Sequence, residues 1–95
     1  MFDWDRQKAQ SNWRKHGVSF EEAATAFLDP DGLDGEDLDH SDSEPRRLRL
    51  AKSSVGRLLL IAYTLRSKND EETTRIISAR RASRKETKRY EVEED

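Results

Sequence analysis

Cysteine is absent from the 95-residue chain, which excludes a disulfide framework and any thiolate metal site and leaves no sign of an oxidising compartment. Only 2 prolines and 4 glycines occur. They build neither a P-loop nor a dinucleotide fingerprint, and no Ser-His-Asp set is visible. No apolar run reaches membrane-spanning length, and the opening Met-Phe-Asp-Trp-Asp lacks a basic region followed by an apolar one. These absences lead us to expect a cytoplasmic protein with no membrane partner. Hydrophobic residues are 33% of the chain and charged residues 40%, a balance close to that of disordered chains. Two dense apolar stretches, at 20–28 and 58–63, nevertheless argue for a folded core. At this length one domain is expected, over residues 1–90, followed by an acidic tail at 91–95, with no room for a large internal cavity.

The formal net charge of -2 hides a segregation of sign. Residues 1–45 carry a net -8, residues 46–90 a net +10 and the last five residues -4. A field divided in this way steers a polyanion towards one surface through salt-sensitive phosphate contacts that need no sequence reading.

Phe2 to Trp4 can open with a short strand. Asp5 is placed as the N-cap of a helix to about His16, with Gly17 as its stop. Helical spacing puts Ala9, Trp13 and His16 on one face, read as core, and Asp5, Lys8, Asn12 and Lys15 on another, read as wet. Ser19 and Glu22 form a capping box for a second helix that runs through Phe27 and Leu28 until Asp29-Pro30 ends it. The stretch 30–45 is rich in Asp, Gly and Ser and reads as a loop or a weak edge strand. Strands follow at 46–52, 57–66 and 73–80, joined by hairpin connections at 53–56 and 67–72. Ser83 and Glu86 form a second capping box, opening a short basic helix to about Tyr90. The expected fold is a two-layer α+β domain: an antiparallel sheet packed by two N-terminal helices, with a short C-terminal helix.

Asp37, Asp39, His40, Asp42 and Glu44 are the nearest approach to a metal cluster. Their spacing fails the calcium-loop pattern, because the sixth position from Asp37 is Asp42 rather than Gly, and one histidine supplies zinc poorly. A solvated acidic loop is the preferred reading, with an acidic surface for a basic partner as the alternative; no metal and no cofactor are expected. His16 and His40 are too far apart in sequence to be paired. At a helix C-terminus His16 can simply stabilise the last carbonyls. Arg75-Ile76-Ile77-Ser78-Ala79-Arg80-Arg81 is more informative. Alternation puts Arg75, Ile77 and Ala79 on one face and Ile76, Ser78 and Arg80 on the other, and the strand delivers guanidinium groups to the mouth of the Ser83-capped helix. Arg80 and Arg81 could there hold a phosphate, or they could be the solvated end of a strand.

Trp4-Asp5, Lys8, Asn12, Lys15-His16-Gly17-Val18-Ser19-Phe20-Glu21-Glu22-Ala23 and Arg75 through Ser83 closely resemble the BrnT toxins. So do Asp39 to Ser41, the Arg57-Leu58-Leu59 strand and the Glu86/Tyr90 pair. The connection at 67–72 departs by being slightly long and acidic. The resemblance implies a RelE-like ribonuclease toxin of a type II toxin–antitoxin system. It would be neutralised in a hetero-oligomer by a BrnA-type ribbon-helix-helix antitoxin, through which alone it would meet DNA. It further implies metal-independent attack of a ribose 2′-OH on the adjacent phosphorus. Under that reading Arg80, Arg81, His16 and Tyr63 are the catalytic candidates, and Lys8, Lys15, Lys52, Arg57, Arg84, Lys85 and Lys88 hold RNA. Tyr90, His40 or a lysine remain open as the general base, and a basic surround would lower a tyrosine pKa. The alternative is a catalytically weak RelE-like binding subunit that acts with a DNA-binding partner in promoter autoregulation. A plain RNA-binding domain is less favoured, because Tyr63 stands alone among the strands where stacking platforms would be needed.

Overall fold

The computed structural model describes residues 1–40 and 44–94. The elements run β1 (Phe2–Trp4), α1 (Arg6–His16), α2 (Phe20–Thr25), a 3-10 turn (Ala26–Leu28), β2 (Leu33–Glu36), β3 (Arg47–Lys52), β4 (Leu58–Lys68), β5 (Glu71–Arg81) and α3 (Arg84–Glu94). The five strands form one sheet in the order β1-β5-β4-β3-β2. The β2, β3, β4 and β5 pairings are antiparallel, as expected. The expectation of a wholly antiparallel sheet is corrected at one edge: β1 lies parallel to β5, with Phe2 opposite Thr74 and Trp4 opposite Ile76. Three residues carry no directional signal of their own. Their direction is set by the long path through the helices that separates them from β5.

Local chemistry explains the element ends. The Asp5 carboxylate accepts from Gln7 N at 2.8 Å and Lys8 N at 3.1 Å, satisfying donors that the first turn leaves open. Gly17 ends α1 at φ 65°, its N–H donating to Trp13 O, a backbone state that glycine enters without strain. Ser19 Oγ accepts from Glu22 N at 3.0 Å. The α-helix stops at Thr25, and the expected continuation to Leu28 is a single 3-10 turn. The connection at 67–72 is tighter than expected: β4 and β5 run on to a two-residue turn, Asn69 at φ 54° and Asp70 at φ 65°, the positive-φ pair of a type I′ hairpin.

The core lies between the sheet and α1/α2. Val18, Phe20, Ala23 and Ala26 meet Ala51, Leu59, Ile61, Ile76 and Ala79, all fully or almost fully buried. Ile76 and Ala79 are three apart in a strand yet both face this core, because Tyr63 pairs with Ile76 and Ala62 with Ser78, leaving Ile77 as an extra residue. That bulge overturns the simple alternation, which grouped Ile77 with Ala79 and put Ile76 opposite. The other sheet face carries Leu48, Leu50, Lys52, Leu60, Ala62, Ser78 and Arg80. α3 stands beside this face at the β3 end: Tyr90 is buried, and Lys52 Nζ sits 5.6 Å from its ring centroid. The expected two layers therefore become three at this end of the sheet.

Helix α1 corrects the expected faces. Ala9 packs on the core, but Trp13 is 58% exposed and His16 is exposed, while Asn12, read as wet, is buried. The Asn12 amide nitrogen donates to Val18 O at 2.9 Å and Ala79 O at 2.7 Å, and its oxygen accepts from Ala79 N at 3.0 Å. A side chain that satisfies three backbone groups is stable inside, where an unsatisfied one would be costly.

Candidate nucleic-acid groove

The open sheet face and one flank of α1 meet in a continuous groove. One cleft of about 290 Å³ is lined by His16, Leu48, Leu60, Ala62, Ser78 and Arg80, among others. It shares His16 and Ser78 with a second, of about 170 Å³, which adds Lys8, Ser11, Asn12, Lys15 and Ile77. A third, of about 210 Å³, shares Leu48 and Leu60 and extends past Asp34 and Glu36 of β2 to Glu86 and Arg89 of α3. Two cation sets that are distant in sequence, on α1 and on β5, thus line a single path. The Asn12 side chain joins them, since its partners Val18 and Ala79 lie two residues after His16 and one before Arg80.

Arg80 is held in a defined orientation. Its Nη1 and Nη2 each donate at 2.9 Å to one oxygen of Glu86, and Nη1 also donates to Arg81 O at 3.2 Å. A guanidinium has five N–H donors, so Nε–H and one Nη2 hydrogen remain for a ligand. Glu86 is the third helical residue of α3 and receives Ser83 N at 2.8 Å while Ser83 Oγ receives Glu86 N at 3.2 Å, completing the expected capping box. Arg80 and this backbone bond pull the Glu86 carboxyl down to about 2, so it is an anchor that stays ionised and a poor proton acceptor. It was legible as a cap, but nothing in the sequence showed that the same carboxylate would clamp Arg80.

The other predicted residues disperse. Arg81, next along β5, points to the opposite side of the strand, towards Glu22, because successive side chains alternate; the two arginines do not converge. Tyr63 is buried on the α1/α2 side, its hydroxyl donating to Asp34 at 2.6 Å and accepting from Arg47 Nε at 3.2 Å, its ring edge-on to Phe27. Burial, seconded by the Asp34 carboxylate, pushes the Tyr63 phenol up, the reverse of the lowering expected from a basic surround. Arg57 is tied to both Glu22 oxygens and to Gly17 O; Glu22 serves this pair and Ser53 Oγ at 2.7 Å, not the second half of its own capping box. Lys52 covers the Tyr90 ring, and the Tyr90 hydroxyl donates to Asp29 at 2.7 Å. Arg84, Lys85 and Lys88 are exposed on α3. His40 Nδ1 lies 3.2 Å from Asp37 in the connection after β2. Among the described residues no three His, Cys, Asp or Glu side chains group to hold a metal. Ser41 and Asp42, part of the acidic stretch considered above, lie outside those residues.

The fold and the site define a small α+β domain with a mixed sheet and a groove whose walls carry Lys8, Lys15, His16 and Arg80. Residues 4–86 match the family model described as ribonuclease toxin, BrnT, of type II toxin-antitoxin system. The chain belongs to that family, and the matched span runs from Trp4 to Glu86. Among solved structures, the Brucella abortus ribonuclease toxin BrnT shares the fold at a TM-score of 0.62 and 20% identity, with 88% of this chain and 99% of that one covered. No curated protein matches. No helix among the described residues is long and apolar enough to cross a membrane.

Proposed function

We propose that this family member cleaves RNA by metal-independent transesterification in the groove between α1 and β5, and that a BrnA-type ribbon-helix-helix antitoxin neutralises it, as expected for a RelE-like toxin. The observation that carries the reading is the lining of one path by His16, Arg80, Lys8 and Lys15. In the reaction the ribose 2′-oxygen bonds to the adjacent phosphorus while the bond to the 5′-oxygen breaks. The 2′-OH proton leaves to a base and the 5′-oxygen takes up a proton, giving a 2′,3′-cyclic phosphate and a 5′-hydroxyl end. The free N–H donors of Arg80, aimed by Glu86, hold the scissile phosphate and stabilise the charge that grows on it. His16 is an imidazole at the groove wall, placed to give or take one of the two protons. Lys8 and Lys15 hold the flanking phosphates through contacts that weaken with salt. Arg81 and Tyr63, on the other side of the sheet, have no part in this mechanism.

Purified protein freed of its partner should cut RNA in EDTA. Arg80→Ala should slow cleavage on the order of 100-fold, equivalent to a few kcal/mol of barrier. Arg80→Lys should recover RNA affinity more than rate, since it keeps the charge and loses the planar fork. Undiminished cleavage by a folded His16→Ala/Arg80→Ala double variant would place the chemistry elsewhere, and loss of parental activity in EDTA would remove the metal-independent mechanism.

A further inference from the structure

Both tryptophans of the chain line one cleft, and it is not the nucleic-acid groove. Its volume is about 730 Å³, and its walls include Trp4, Arg6, Ala9, Trp13, Arg14 and Glu21. Trp4 packs edge-on against Phe20 at 5.9 Å, which fixes it as a rigid floor. Trp13 stands 58% exposed at the rim. At 100° per residue, positions 6, 10, 13 and 14 of α1 form one stripe, while Lys8, Ser11 and Lys15 form the stripe nearly opposite. The first helix therefore presents two separate working flanks, one to each cleft.

We propose that the tryptophan cleft is the docking surface for the protein antitoxin, and that it receives an acidic amphipathic segment of that partner. Tryptophan and arginine are the residues that most often concentrate binding energy at protein interfaces, and here two of each line one concavity. Neither Arg6 nor Arg14 has an ion-pair partner among the described residues. They stand eight residues apart, about 12 Å along the helix. A segment with carboxylates at that spacing and an apolar side chain between them would pair with both guanidinium groups and seat its apolar residue on Trp13. Glu21 on the facing wall repels acidic groups there, so the carboxylates of the partner must turn towards α1. RNA fits this surface less well. A strand leaving the His16–Arg80 groove would have to pass round the helix to reach it, and a carboxylate and an apolar floor would then oppose its phosphates. The inference rests on family membership and is independent of the catalytic assignment.

The probe is the protein encoded by the adjoining gene that neutralises the toxicity of this chain. Its binding would be measured by calorimetry at low and high salt against the full-length toxin, with RNA cleavage assayed in parallel. Trp13→Ala should weaken the complex on the order of 100-fold. Arg6→Glu/Arg14→Glu should weaken it at least tenfold and abolish most of its salt dependence, and both variants should cleave RNA at the parental rate. The two variants are exposed substitutions of different chemistry, so a folding defect in one leaves the other decisive. Undiminished antitoxin affinity in the folded variants would overturn the proposal. So would a loss of RNA affinity on changing Trp13, or antitoxin binding that fails only in Lys8→Glu/Lys15→Glu. Failure of the His16/Arg80 variants to affect cleavage would overturn the mechanism alone and leave this surface intact.

Discussion

Replacing Asn12 by Ala removes one side chain that satisfies three backbone groups between α1 and β5. Its amide nitrogen donates to Val18 O and Ala79 O, its oxygen accepts from Ala79 N, and the residue is only 6% exposed. Methyl replacement leaves one buried N–H and two carbonyls without their partner. At about 1–3 kcal/mol for each stranded group, partly relieved by water at the groove side of the residue, the loss should be about 3 kcal/mol. For a domain of this size that lowers the thermal midpoint by roughly 10–20 °C. Asn12→Asp separates hydrogen bonding from shape: the carboxylate can still accept from Ala79 N but cannot donate to either carbonyl, so it should be destabilised at neutral pH nearly as much as Ala. Urea unfolding of the three proteins gives the comparison directly. A loss below about 0.5 kcal/mol for Asn12→Ala, within the range of ordinary surface substitutions, would refute the claim that this amide joins the two walls of the groove.

Acid should weaken the Arg80 clamp in a defined window. Because the Glu86 carboxyl is held at about 2 in the folded chain against an ordinary 4.5, its contribution is complete above pH 4.5 and disappears as pH falls towards 2; acid titration of Glu86→Gln should lack that part of the loss. Asp70→Gly should stabilise the protein by about 0.5–1 kcal/mol in thermal unfolding, since φ 65° at this turn position strains an aspartate and suits glycine; a lower midpoint would contradict the turn assigned here.

Features that depend on neighbours in the chain were legible in the sequence. Asp5, Gly17, Ser19 and Ser83 mark helix ends through bonds to backbone groups two to four residues away, and the structure has each bond. The apolar run at 58–63 was legible as a strand, and it lies in the middle strand of the sheet. The basic half of the chain and the paired motifs at 4–23 and 75–83 pointed to the family that the match over residues 4–86 shows. Periodicity failed where a distant partner changed the outcome. Asn12 reads as solvent-facing until Ala79, 67 residues away, offers both a donor and an acceptor, and Trp13 reads as core until α1 turns its other side to the sheet. The bulge at Ile77 arises from register with β4 and cannot be seen in β5 alone.

Sequence alone thus determined the main helices and strands, their order, the sign of the charge in each half and the family, all of which are read over short distances or summed over the chain. Tertiary structure decided which of the many cations act together. Arg80 and Arg81 are neighbours that the pleat sends to opposite sides, Tyr63 is drawn into a buried bond with Asp34, and Arg57 is committed to Glu22. His16 and Arg80, 64 positions apart, face one groove because a buried amide ties the helix to the strand, and the convergence of side chains across such a separation is set by packing, which no local pattern encodes.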